Sequence, residues 1–138
     1  VIYLDSAAIV KLAHPEAGSA DLRSWLAERA GIPRVTSALA EVEVPRAIQR
    51  HAPASLPHVP LVLGTIARFE IDTAVRALAA SYTEPLLRSL DAIHLATAQV
   101  LNAELGGSLQ AFVTYDKRLL TAVQLVGLEV ASPGHAAS

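Results

Sequence analysis

Apolar residues fall in short runs along this chain, each closed by a polar residue or a break. Val1 to Leu4 is apolar throughout and stops at Asp5, the pattern of a buried strand. Ser6 to Ala13 follows at once as a helix, with Ser6 the candidate N-cap. After the His14-Pro15 break, Ala20 to Arg29 sets Leu22, Trp25 and Leu26 three and four residues apart, which predicts an amphipathic helix. Pro33 to Thr36 is a short strand, and Ser37 stands where it would cap a helix running to about Arg50. Ala52 to Pro60 holds three prolines and is expected to be a loop or a break between helices.

A further strand is expected around Phe69 to Ile71, then helix from Asp72 to Ser81. Pro85 should open the next helical stretch, which continues through Asp91 to about Leu101. Ala111 to Tyr115 is apolar and β-prone and ends at Asp116. Lys117 to Leu125 returns to helix, and Leu128 to Ala131 is a last strand. Strands that alternate with helices predict an α/β fold, a mostly parallel sheet with helices on both faces. The 138 residues suit a single domain, 1–138.

Composition sharpens the picture in a few places. Hydrophobic residues make up 52% and charged residues 17%, more apolar than an average soluble chain. One core is easily filled, and the excess is expected to cover a partner surface on the Trp25 helix or at Leu61-Val62-Leu63. No apolar run is long enough to span a bilayer, and Val1 to Asp5 lacks the basic segment of a secretory signal. Without cysteine there is neither a disulfide framework nor a thiolate zinc site. A cytoplasmic location and no membrane partner are expected. The net charge of -2 argues against a nucleic-acid partner only until four of the 13 acids are assigned to metal ions. Nine then remain against 11 Lys and Arg.

Four carboxylates stand out. Asp5 and Asp116 each close an apolar strand pattern, and in an open parallel sheet the carboxyl ends of the strands share the edge where ligand crevices form. Thr114, two residues before Asp116, points to the same side and is placed to orient a carboxylate or a bound water. Turn formation by strand-end Asp is the plainer alternative. Glu43 lies about 40° around its helix from Leu39, on the side of Val42 and Arg46, with Glu41 opposite. It needs a partner if it faces the core; an ion pair with Arg46 would also serve. Asp91 begins a mostly apolar helical segment, where a first-turn acid or cap is the alternative. Together the four suggest a pocket for a hard cation such as Mg²⁺, with Mn²⁺ as substitute.

Other chemistries lack their residues. Gly106-Gly107 is not followed by Lys-Ser or Lys-Thr, so there is no phosphate loop, and no G-x-S-x-G elbow occurs. His14, His51 and His58 sit beside proline breaks. His94 is expected to be a hydrogen-bonded structural histidine, and Trp25 a core or interface residue.

Four blocks resemble the PIN-domain family, and within it the VapC toxins. Tyr3-Leu4-Asp5-Ser6-Ala7-Ala8-Ile9-Val10-Lys11-Leu12 resembles the family's first strand, first acid and following helix. Thr36-Ser37-Ala38-Leu39-Ala40-Glu41-Val42-Glu43 through Arg46 resembles the second, with its glutamate at Glu43 and not Glu41. Leu90-Asp91-Ala92-Ile93-His94-Leu95-Ala96-Thr97-Ala98 and Val113-Thr114-Tyr115-Asp116-Lys117-Arg118-Leu119 resemble the third and fourth, and these two are the specific ones. No signature covers Ala52 to Leu87, where substrate choice is expected to be encoded.

The resemblance implies a three-layer α/β/α sandwich, usually a homodimer. It implies RNA cleavage (of tRNA, rRNA or mRNA) and silencing by a cognate VapB-like antitoxin that wraps the toxin and pushes a basic side chain towards the acids. On this reading Asp5 and Asp91 hold the principal Mg²⁺, Asp116 completes the site, Glu43 positions a second ion or the attacking water, and Thr114 supports them. Two alternatives belong to other classes. One is a catalytically silent PIN-fold module that grips RNA or protein. The other is a receiver-type Mg²⁺-binding domain, which would need adjacent acids after the first strand and a phosphoacceptor Asp ending a central one.

Overall fold

The computed structural model describes residues 1–135. Five strands form one sheet in which every pairing is parallel, in the order β3-β2-β1-β4-β5. They are β1 (Ile2–Leu4), β2 (Arg34–Ser37), β3 (Ala67–Phe69), β4 (Ala111–Val113) and β5 (Val130–Ala131). The helices between them are α1 (Ser6–Ala13), α2 (Ser19–Ala27), α3 (Ala40–His51), α4 (Val59–Leu63), α5 (Thr73–Ser81), α6 (Ser89–Glu104) and α7 (Lys117–Leu125).

β1 is central and wholly buried, with Ile2 in register with Arg34 on one side and Ala111 on the other. Its side chains alternate between two cores. Ile2 and Leu4 pack with Ile9, Leu22, Leu26, Val44, Ile48 and Leu63 from α1, α2, α3 and α4. Tyr3 packs with Phe112, Leu95, Leu101, Leu119 and Val123, which brings α6 and α7 to the opposite face. This is the expected α/β/α sandwich, with period-two strands feeding two helical layers. The strand order runs outward both ways from the β1/β4 pair. That pair is the topological switch point, and the edge beyond its carboxyl ends is where ligands bind in such sheets.

Several boundaries differ from the sequence expectation for identifiable reasons. Asp5, not Ser6, caps α1: its Oδ1 accepts the Ala8 amide at 2.9 Å, and Ser6 becomes the first helical residue. The proline-rich stretch is helical, as a 3-10 helix (Pro53–His58) followed by α4. Pro53 and Pro60 fall in first or second helical positions, where a missing N–H costs nothing. Pro85 does not open a helix. It lies inside a turn closed by the Leu87 amide on the Glu84 carbonyl, a favoured place for proline, and Arg88 is still extended as α6 begins. β3 starts two residues earlier than expected because its pairing with Val35 to Ser37 sets the register. Ser37 accepts the Leu39 amide at 3.1 Å, one residue short of capping α3. Among the described residues, no helix is long and apolar enough to cross a membrane.

Candidate active site

Asp5 leaves β1 at the switch-point edge and is 4% exposed. Burial dominates its acid strength and holds its carboxyl above the ordinary value. The charge of His94, a hydrogen bond from Thr114 and the Ala8 amide oppose that shift, and Asp116 adds to it. Thr114 is fully buried next to β4. Its Oγ1 accepts the Asp116 amide at 3.2 Å, and its hydroxyl is close enough to Asp5 to favour the ionised carboxylate. Asp116 caps α7, its Oδ1 accepting the Arg118 and Leu119 amides at 2.8 and 3.1 Å. Capping and membership of an acidic pocket are therefore compatible: in each Asp, Oδ1 takes the cap bonds.

Glu43 reaches the same edge from α3. Its Oε1 accepts from the Ser6 hydroxyl at 2.7 Å and lies 2.8 Å from His94 Nε2. Burial pushes its carboxyl up, but the bonds from His94 and Ser6 and the charge of His94 together outweigh that, and the group is held below its ordinary value. Glu41 points away and pairs with Arg68 at 3.3 Å. The helical phase read from the sequence holds, and the pairing of Glu43 with Arg46 is not among the ion pairs of the described residues.

Asp91 stands in the first turn of α6. Among the described residues its carboxylate caps nothing, since α6 has no side-chain cap bond. Burial raises its carboxyl above the ordinary value. Asp116 adds to the rise, His94 opposes it, and Asp5 and Glu43 add smaller amounts. Asp91 thus feels all three of the other acids, which no two-residue pair would produce. Asp91 sits on a helix and is not a strand-end phosphoacceptor of the receiver type, and Asp5 is followed by Ser6 and not by a second acid.

The structure also brings in residues the sequence reading passed over. His94 is 2% exposed and hydrogen-bonded as expected of a structural histidine, but its partners are Glu43, Ser6 at 3.1 Å and Tyr3 at 2.7 Å. The signal available was spacing: His94 is three residues after Asp91 on α6, and Ser6 directly follows Asp5.

The donor set suits a hard divalent cation, since carboxylate and hydroxyl oxygens are what Mg²⁺ and Mn²⁺ take. Among the described residues no three or more of His, Asp and Glu are gathered closely enough to hold an ion as they stand.

A family model described as the PIN domain matches residues 2–124. The chain is 49% identical to Ribonuclease VapC35 of Mycobacterium tuberculosis over 99% of both chains. It is 42% identical to Ribonuclease VapC46 of the same organism, covering 96% of this chain and 97% of that one. Among solved structures it resembles a toxin–antitoxin complex from Klebsiella pneumoniae, with a TM-score of 0.70 at 19% identity over 96% and 98% of the two chains. It also resembles M. tuberculosis VapC20, described as a sarcin-ricin loop cleaving toxin, with a TM-score of 0.65 at 13% identity over 93% and 96%. The structural likenesses fix the fold, and the full-length sequence relatives fix the family. With the acidic blocks in their expected order on that fold, the chain belongs to the PIN-domain family, in the branch of the VapC ribonucleases.

Proposed function

We propose that this protein is a Mg²⁺-dependent endoribonuclease, with Mn²⁺ able to substitute, and that it is the toxin of a VapBC-type pair acting in the cytoplasm as one domain, 1–138. The observation that carries the reading is the convergence of Asp5, Glu43, Asp91 and Asp116 at the switch-point edge. They come from both ends of the chain: Asp5 and Asp116 follow the paired strands β1 and β4. Glu43 is hydrogen-bonded to Ser6 beside Asp5, and Asp91 stands one turn before His94, which bonds Glu43. The ribonuclease names of the full-length relatives support it.

Asp5, Asp91, Asp116 and Glu43 are the residues that would hold the metal. When bound, the cation neutralises the charge of a phosphodiester and makes the attacking water more acidic. The remaining work belongs to the chain. Thr114 and the two helix caps immobilise Asp5 and Asp116. Glu43, kept ionised by its hydrogen bonds, accepts a proton from the attacking water at its carboxylate. In-line attack then leaves a 5′-phosphate and a 3′-hydroxyl.

RNA is the natural polyanion for the exposed cations next to these acids in the chain. Arg46 and Arg50, with Pro45 and Gln49 on the helix that carries Glu43 and Leu56 on the 3-10 helix after it, line a groove of about 440 Å³. Arg88, Lys117 and Arg118 flank Asp91 and Asp116. None of these five is in an ion pair among the described residues. A cognate VapB-like antitoxin would silence the enzyme by placing a basic side chain among the four carboxylates. Exposed Val42, Leu61, Leu86 and Leu90 offer apolar surface for it and for a homodimer contact.

Asp91→Asn tests the reading most cleanly, because Asp91 caps nothing. Expression of the wild-type chain should arrest growth and fragment RNA, and the variant should do neither. Undiminished cleavage by the variant would contradict the assignment.

A further inference from the structure

We propose that His94 is a positioning residue for Glu43: together with Ser6 it fixes the Glu43 carboxylate at the acidic edge, and Tyr3 fixes the His94 ring. The proposal rests on reading the four carboxylates as a metal-dependent nuclease site.

The hydrogen bonds that reach Glu43 have a fixed direction. The ionised Glu43 carboxylate only accepts, so His94 Nε2, 2.8 Å away, must be the donor. On the other side of the ring, the Tyr3 hydroxyl is hydrogen-bonded to Nδ1 at 2.7 Å. The imidazole thus bridges the Tyr3 hydroxyl and Glu43 Oε1. The Ser6 hydroxyl supplies the same oxygen with a second hydrogen bond at 2.7 Å.

Every member of the relay except Glu43 is locked in place. Tyr3 lies on the central strand, fully buried, and its ring stacks on Phe112 at 4.7 Å between centroids and 17° between planes. His94 meets the Tyr3 ring edge-on at 5.8 Å. Glu43 alone is partly open, its side chain 27% exposed. A free glutamate of that kind samples several rotamers. Two donors on one oxygen, carried by α1 and α6, select a single orientation and leave Oε2 for other partners. Outer hydrogen bonds of this kind hold ligating carboxylates in many metal sites.

The test separates the two ends of the imidazole. In His94→Gln the amide nitrogen stands near the place of Nε2, so it can still donate to Glu43 but loses Tyr3. In His94→Asn the amide stands near Nδ1, so it keeps Tyr3 and loses Glu43. Three quantities are measured on the full chain: Mn²⁺ affinity by calorimetry without RNA, kcat and KM for RNA, and metal-free Tm. His94→Asn should lose roughly 10- to 100-fold in Mn²⁺ affinity, with kcat falling and KM nearly unchanged. His94→Gln should stay within a few-fold of wild type even where its Tm falls as far. Ser6→Ala, which removes one of two donors at a helical position that alanine suits, should lie between them.

Gln and Asn variants that decline together in step with Tm would make His94 a purely structural residue and overturn the proposal, with the nuclease reading intact. If neither His94 variant folds, Ser6→Ala decides: unchanged Mn²⁺ affinity and kcat overturn it. A wild-type chain that binds no Mn²⁺ removes the nuclease reading and the proposal together.

Discussion

Asp91 shows how a carboxylate proposed for the metal site can weigh against the fold that carries it. Burial first, and the charge of Asp116 next, raise its carboxyl above the ordinary value, with His94 opposing. A group whose proton is held more tightly in the folded state than in the unfolded chain favours the fold at low pH. That advantage is lost as pH rises through the folded-state value. Asparagine removes the loss. Metal-free Asp91→Asn should therefore melt a few degrees above wild type at pH 7, and the gap should close as pH falls below about 4. Glu43, whose carboxyl is held low, contributes in the opposite sense in both proteins, and removing the Asp91 charge relieves its repulsion of Glu43, which adds to the gain. Differential scanning calorimetry at the two pH values reads the difference. A clear fall in Tm at pH 7 would make Asp91 a structural first-turn acid. At this scale the sequence was informative about Asp5, Asp91 and Asp116, whose neighbours are apolar and β-prone or helical. It was less so about Ser6 and His94, because a hydroxyl at a helix start and an imidazole on an apolar face have common structural uses. Only their placement in space shows that both meet at Glu43.

Among the elements, α3 carries the sharpest contrast. Glu41 and Glu43 are two residues apart, about 200° around the helix. One pairs with Arg68 at the surface and the other enters the acidic edge. Glu43→Gln should cost roughly 100-fold or more in kcat, the usual scale for a lost acid–base group. Glu41→Gln should leave kcat within a factor of two or so, since exposed ion pairs contribute at most about 1 kcal/mol. Equal losses in steady-state RNA cleavage would mean that the helix phase is wrong. The same helix then presents Arg46 and Arg50. Replacing both with Gln should weaken RNA binding in EDTA. It should also flatten the plot of log affinity against log salt by about 0.7 for each phosphate no longer neutralised. An unchanged slope in filter binding would take the groove out of the RNA path. Helical periodicity made α3 readable over nearly its whole length, Pro45 notwithstanding. Strand β3 was harder to place: all three of its residues are exposed, so no alternation marks it, and its register comes from pairing with β2. The prolines of the 3-10 helix and α4 misled for a related reason, since proline breaks a helix interior but suits its first turn.

For the whole molecule, alternation of strands and helices was enough to predict a parallel α/β/α sandwich, but strand order was not in the pattern. That order, with β1 between β2 and β4, brings residue 5 beside residue 116. The apolar excess in the composition appears as exposed Leu61, Leu86, Leu90 and Leu125. Trp25, expected to share that role, is instead half-buried against the α1/α3 core and covered by the Arg29 guanidinium at 4.0 Å. The exposed leucines Leu86 and Leu90 lie just before Asp91 in the chain, so a partner seated there would sit close to the acids. Whether these acids cut RNA through a divalent cation is decided by incubating the purified chain with total RNA in EDTA, then with Mg²⁺ restored, and mapping the new ends. Asp5→Asn, which keeps an oxygen for the α1 cap, serves as the control. The expected outcome is no cleavage in EDTA, recovery with Mg²⁺ or Mn²⁺, products with 5′-phosphate and 3′-hydroxyl ends, and an inactive Asp5→Asn. Cleavage that persists in EDTA and leaves cyclic-phosphate ends would refute the metal-dependent mechanism.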